Sequence, residues 1–237
     1  MAQIFPRWTN ELPKLALAGA GLLGSLVIFV VWFWFSPSHT DVGYAPEQPI
    51  PYSHKLHAGQ MGMDCRYCHV NVEKSAHAGV PPTSTCLNCH NVVRADSPKF
   101  EWLRQAKGDD GQLNEDALST PWRRIHKTPD YAYFDHSAHV TVGVGCVSCH
   151  GRVDEMLVVR QTQPLSMGWC LECHRNIRHY EDRGFEPADV IRPLDKVEIT
   201  DMTWGRGHPA YDSWKEDARK KAQQLKPPTV ECTGCHR

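Results

Sequence analysis

Every cysteine in this chain falls within a Cys-x-x-Cys-His motif, and no other feature limits so sharply what the chain can become. The five motifs are Cys65/Cys68/His69, Cys86/Cys89/His90, Cys146/Cys149/His150, Cys170/Cys173/His174 and Cys232/Cys235/His236. The pattern is that of c-type haem attachment: two thiols add across the porphyrin vinyl groups, and the adjacent imidazole binds the iron from one side. A bare Cys-x-x-Cys pair also suits zinc or thiol redox chemistry. Five matches that consume all ten cysteines leave little room for either, and none for a disulfide. Five covalently bound haem c groups are expected.

Composition follows from that. Only 41% of the 237 residues are hydrophobic, and many of these lie in one segment near the start. Beyond it the chain is polar, with few apolar runs, and on its own it has little from which to build a core. The expected fold is a multihaem cytochrome c: mostly irregular, with short α-helices around a haem core. The formal charge of −1 understates the acidity of such a holoprotein. Each haem with ionised propionates and neutral axial ligands adds about −1 when ferric and about −2 when ferrous. That balance argues against nucleic acid as a partner.

Leu15 to Phe35 carries no charge, and at about 1.5 Å per residue it spans a hydrocarbon core of about 30 Å. Arg7 and Lys14 precede it, and no Lys or Arg follows before Lys55. The positive-inside rule therefore puts the N-terminus in the cytoplasm and the rest across the membrane. Trp32 and Trp34 suit the outer interface. A cleaved signal sequence is the competing reading, with Ala16, Ala18 and Ala20 resembling a processing region; a retained anchor is preferred. Ala16, Ala20 and Gly24, like Gly21 and Ser25, have the spacing that permits close helix contact. The expected organisation is a cytoplasmic stub and anchor over residues 1–40 (helix at about 15–35), then an extracytoplasmic haem domain over 41–237.

Within that domain the chain repeats itself. Tyr52-Ser-His54-Lys-Leu-His57 and Phe134-Asp-His136-Ser-Ala-His139 both read aromatic-x-His-x-x-His. Each leads into two haem motifs, so two-haem units are expected at about 50–90 and 132–174, with the fifth haem at 232–236. Between them, Ser97-Pro98 signals a helix start running through Lys107 to Gly108. Ser213 and Glu216 read as a capping box for a helix reaching about Lys226, before Pro227-Pro228. Residues 108–119 read as an exposed loop, and only short helical turns are expected around the motifs.

Nine histidines lie outside the motifs: His39, His54, His57, His77, His126, His136, His139, His179 and His208. Surface or core roles are the ordinary fate of a histidine. The repeated pairs ahead of haem motifs mark His54, His57, His136 and His139 as distal iron ligands. For the fifth iron His126, Met167 and His208 compete. A methionine there would raise that haem's potential.

The paired-histidine element ahead of Cys-x-x-Cys-His resembles the cytochrome c3 and c7 class. Several runs look more specifically like the pentahaem cytochrome subunit of bacterial alternative complex III. They are the stretch from Ser53 to Cys68, Phe134–His139, Gly143–Gly151 and Pro164–Cys170. The resemblance covers about residues 50–175 and is weaker at the fifth motif and the anchor. It implies an electron-carrier subunit of a quinol-oxidising complex in the bacterial cytoplasmic membrane, passing electrons toward a periplasmic cytochrome or oxidase. It also implies partners: an iron–sulfur subunit, polytopic quinol-binding subunits and a monohaem cytochrome c. No catalytic site of its own is expected. Two alternatives rank lower. A stand-alone membrane-anchored quinol dehydrogenase typically has a methionine shortly after the first motif, where Val70-Asn71 stand here. A multihaem reductase needs an open iron, yet all five motif histidines are present.

Overall fold

The computed structural model describes residues 4–108, 113–114 and 120–236, with Arg178 described in its backbone alone. A 3-10 turn at Arg7–Glu11 runs into helix α1, Leu12–Trp34. Pro13 lies in its first turn, where a missing N–H costs nothing, so the helix starts ahead of Leu15. Every residue of α1 is exposed, and the helix is long and apolar enough to cross a membrane.

The haem motifs sit on helical turns: Cys65–Cys68, helix α2 (Thr83–His90), Cys146–His150, helix α3 (Met167–Arg178) and Cys232–Cys235. One turn of helix sets two residues three apart on the same side, so each pair of thiols shares a face. Asp64 caps the first turn by accepting from the Arg66 backbone N–H at 2.7 Å. The third ends at Gly151, whose φ of +66° other residues rarely adopt. At the fourth motif the expectation of a short turn fails. Ser166 caps α3 by accepting from the Trp169 N–H at 3.3 Å, and good helix formers such as Leu171, Glu172 and Arg175 carry it on without a breaker.

The expected helix after Ser97 begins as a 3-10 turn at Pro98–Phe100 and continues as Glu101–Gln105. It stops short of Lys107, which instead bridges to Leu113. Most of the expected loop at 108–119 lies outside the described residues. Helix α4, Tyr211–Gln224, begins two residues before Ser213. The Ser213 hydroxyl donates back to the Ala210 carbonyl at 2.7 Å, so it is not the capping residue the sequence suggested. Leu225 turns extended ahead of the prolines and ends the helix. Among the described residues there is no strand, only isolated bridges.

One packed region was not foreseen. Ala188, Val197, Trp204, Tyr211 and Ala218 are buried together, with Trp214 against them. Trp204 stacks on Trp214 at 5.5 Å and donates its indole N–H to the Ala188 carbonyl at 2.8 Å. These residues are single apolar positions in polar stretches, so no local period announces them. The lobe holds the third motif: Val144 bridges to Ile191, the Arg192 N–H donates to Gly143 and the Gly145 N–H to Val190. It also reaches the first motif, where the Arg66 guanidinium pairs with Glu198 at 3.1 Å.

Candidate haem-binding centre

The ten motif thiols differ in exposure. Cys89 and Cys232 are exposed, while the other eight are partly buried. On α2 the buried side is set by Thr83 and Leu87. Cys89 lies two residues beyond Leu87, about 200° further round the helix, and so faces outward. It still shares a side with Cys86, one turn back, as a pair of tethers requires.

The thiols of the third motif are held in the wrong state for thiolate chemistry. Burial pushes Cys146 up to about 11 and Cys149 up to about 12. Redox-active cysteines lie in surroundings that lower the pKa instead. Among the described residues no three His, Cys, Asp or Glu side chains gather as a metal site. Paired neutral thiols on one face of a turn suit thioether formation.

Seven of the imidazoles share one tautomer. Nδ1 of His57 faces the Ser53 carbonyl at 2.9 Å, that of His69 faces Gly79 at 2.7 Å, and that of His90 faces Val93 at 2.9 Å. His136 and His139 face Ala76 and Asp135, both at 2.7 Å. His174 faces Thr229 at 2.6 Å and His236 faces Tyr131 at 3.2 Å. A carbonyl accepts only, so each Nδ1 carries the proton and each Nε2 is left with its lone pair. That is the form an iron ligand requires, and the carbonyl fixes the ring's direction.

Three of these rings face a partner at a telling distance. Two metal–nitrogen bonds of about 2 Å, with about 1.2 Å from ring centre to nitrogen, set trans imidazole centroids about 6.4 Å apart. His57 and His90 are 6.2 Å apart, His136 and His150 6.4 Å, His139 and His174 6.1 Å. In each pair one member belongs to a motif and the other to a repeated His-x-x-His run. The repeat is close in space as well: Tyr52 stacks on His57 and meets His54 edge-on, and Phe134 does the same to His139 and His136. The backbones differ, a π-helical Lys55–Gln60 in the first unit against an α-helical His136–Thr141 in the second. His54 completes the parallel by lying within electrostatic reach of His69. Burial lowers His54 to about 4 and His150 to about 3, which keeps both neutral.

The candidates for the fifth iron are separated by their surroundings. His126 faces the third motif, edge-on to His150 at 4.3 Å, with its Nε2 buried and unpartnered. His208 belongs to the C-terminal lobe, 5.2 Å from Trp204. Its Nδ1 accepts from the Ala210 N–H at 3.1 Å, so its Nε2 carries the proton, the opposite of the seven rings above. Met167 opens α3, one turn ahead of Cys170. His39 lies against Trp34 at the end of α1, and His77 and His179 are exposed.

Neighbouring motifs also lie within electrostatic reach of one another. Cys68 lies within electrostatic reach of Cys86, Cys65 of Cys146, Cys149 of Cys170 and Cys173, and Cys170 of Cys235. These pairs link the second motif to the first, the first to the third, the third to the fourth and the fourth to the fifth. The two exposed thiols, Cys89 and Cys232, belong to the motifs at the two ends of that series.

Paired thiols on helical turns, imidazoles directed by backbone carbonyls and the spacing of three ring pairs together suit the binding of c-type haem. No family model matches the chain. It is 28% identical over 194 residues to the menaquinone reductase multihaem cytochrome c subunit of Nitratidesulfovibrio vulgaris, covering 70% of this chain and 86% of that one. The chain is a homologue of that multihaem cytochrome, and the relationship implies covalently bound c-type haem.

Proposed function

We propose that this chain is an electron-carrier subunit with five haem c groups, one per motif, in a quinone-linked respiratory complex of the bacterial cytoplasmic membrane. The observation that carries the reading is the trans spacing of His57/His90, His136/His150 and His139/His174. A bound haem c would supply a one-electron carrier. The chain's residues do the rest. The cysteines would tether the haems, and the motif histidines together with His54, His57, His136 and His139 would hold the irons. For the fifth iron this reading takes Met167, whose helix carries Cys170, within electrostatic reach of Cys235. His126, set against the third motif, is a reserve ligand there. The haems form the core of the region before the C-terminal lobe, where few side chains are otherwise buried.

Helix α1 anchors the chain with its N-terminus cytoplasmic, so the haem domain is periplasmic. The chain has no catalytic site of its own: α1 holds no ionisable group after Lys14, and a quinone site needs proton-handling groups at membrane depth. Those come from polytopic partners, with an iron–sulfur subunit and a monohaem cytochrome c at the two ends of the series, the second and fifth motifs. The finer reading is a quinol-oxidising complex of the alternative complex III type. The relative's name favours a second reading, with electrons flowing to menaquinone. Mild detergent extraction, intact mass and a redox titration test the proposal. Five haem masses and co-purification in fixed ratio with iron–sulfur and polytopic subunits support it. A chain that elutes alone and oxidises quinol by itself overturns it. Net quinol oxidation against quinone reduction by the intact complex separates the two directions.

A further inference from the structure

Arg192 is fully buried, yet most of its guanidinium has nothing to bind. Nη1 reaches the Val190 carbonyl at 3.3 Å, while Nε and Nη2 are buried without a partner. The group lies 5.9 Å from the Trp204 ring on one side. On the other it presses against Gly145, where a Cβ would meet Nη1 at 1.8 Å. Only glycine leaves room for that approach, and Gly145 directly precedes Cys146. A cation is therefore sealed against the third motif.

A buried charge without a counter-charge is strongly unfavourable, and folds that keep one supply an anion. Asp201 is the carboxylate whose charge Arg192 feels. Its Oδ1 is already occupied by the Thr203 N–H at 2.8 Å and the Thr203 hydroxyl at 2.7 Å. Its Oδ2 lies 3.8 Å from the His208 Nε2. Burial lowers the guanidinium to about 10, which still leaves it charged at neutral pH. Two adjacent free N–H groups, Nε and Nη2, suit a flat anion that takes two parallel N–H bonds, the geometry of a carboxylate.

We propose that Arg192 binds a propionate of the haem tethered at Cys146 and Cys149 and raises that haem's potential. The proposal rests on the haem reading above. Reduction adds negative charge to the haem, and a cation fixed nearby in a poorly screened site favours the reduced state. Gly145 is part of the arrangement, since any side chain there displaces the guanidinium. The third motif lies in the middle of the series of linked motifs, so this one contact adjusts the central step of the wire.

The test uses the purified holoprotein. In Arg192→Met, redox titration should show one of the five potentials falling, by about 59 mV for each tenfold loss of preference for the ferrous state. Haem count and low-spin spectrum should be retained, and Arg192→Lys should keep most of the wild-type value. Five unchanged potentials in Arg192→Met overturn the proposal. Cryo-electron microscopy of the wild-type holoprotein decides the matter even if the variant fails to fold. A propionate oxygen in hydrogen-bond contact with Nε or Nη2 supports it, and pairing of those nitrogens with Asp201 overturns it. Absence of haem mass on the Cys146/Cys149 peptide sinks the haem reading itself, whereas a full haem count with unchanged potentials sinks only the role of Arg192.

Discussion

His126 stands edge-on to His150 with ring centroids 4.3 Å apart, too close for an iron between them, while His136 faces the same ring at 6.4 Å. The two distances rank the candidates for the third motif. His126→Ala is expected to leave every haem low-spin. The double variant His126→Ala/His136→Ala is expected to open one haem, which then binds carbon monoxide when reduced. Carbon monoxide binding in the single His126 variant would reverse the ranking.

Met167 is expected to complete the fifth haem. Met167→Ala should create one carbon monoxide-binding haem. Met167→His should keep it closed and lower a single potential, since thioether ligation raises the potential relative to imidazole. Potentials and spectra identical to wild type in both variants would place the ligand elsewhere.

Trp204 is expected to hold the C-terminal lobe together. Trp204→Ala should cost about 3–5 kcal/mol, the usual loss for a buried large aromatic. Thermal unfolding of the holoprotein followed by near-ultraviolet circular dichroism measures it. A loss under about 1 kcal/mol, the range of many surface substitutions, would mean that the haems alone support this region.

Asp64 is expected to give the first motif an acid limit. The hydrogen bonds from Arg66 hold its carboxyl below the usual carboxylate range. A depressed folded pKa means the unfolded chain takes up the proton first. The stabilisation is therefore complete above the unfolded value of about 4 and is lost as pH falls through the folded value beneath it. Melting temperatures of wild type and Asp64→Asn should differ at pH 7 and converge toward pH 3. A constant gap across that range would assign the effect to something other than ionisation.

Much of the chemistry is legible in one dimension because it depends on residue type and local spacing. Cys-x-x-Cys-His needs only a single helical turn to bring two thiols and an imidazole together. The apolar run of α1 shows its length and polarity directly, though Pro13 moved its start. The repeated His-x-x-His runs mark candidate ligands, and the structure brings His57, His136 and His139 to 6.2, 6.4 and 6.1 Å from motif rings. Capping was less legible: Ser213 had the right type and spacing but lies inside α4. What the tertiary structure alone decided is long-range. The links between motifs, the outward-facing Cys89 against the enclosed Cys149, and the turning of His126 toward His150 all depend on which segments pack together. So do the protonated Nε2 of His208 and the burial of Arg192 against Gly145. The Trp204 lobe belongs with them, because its apolar residues are scattered singly and become a core only when the chain folds back on itself. Local spacing records which groups are able to bind an iron, and only packing determines which of them meet.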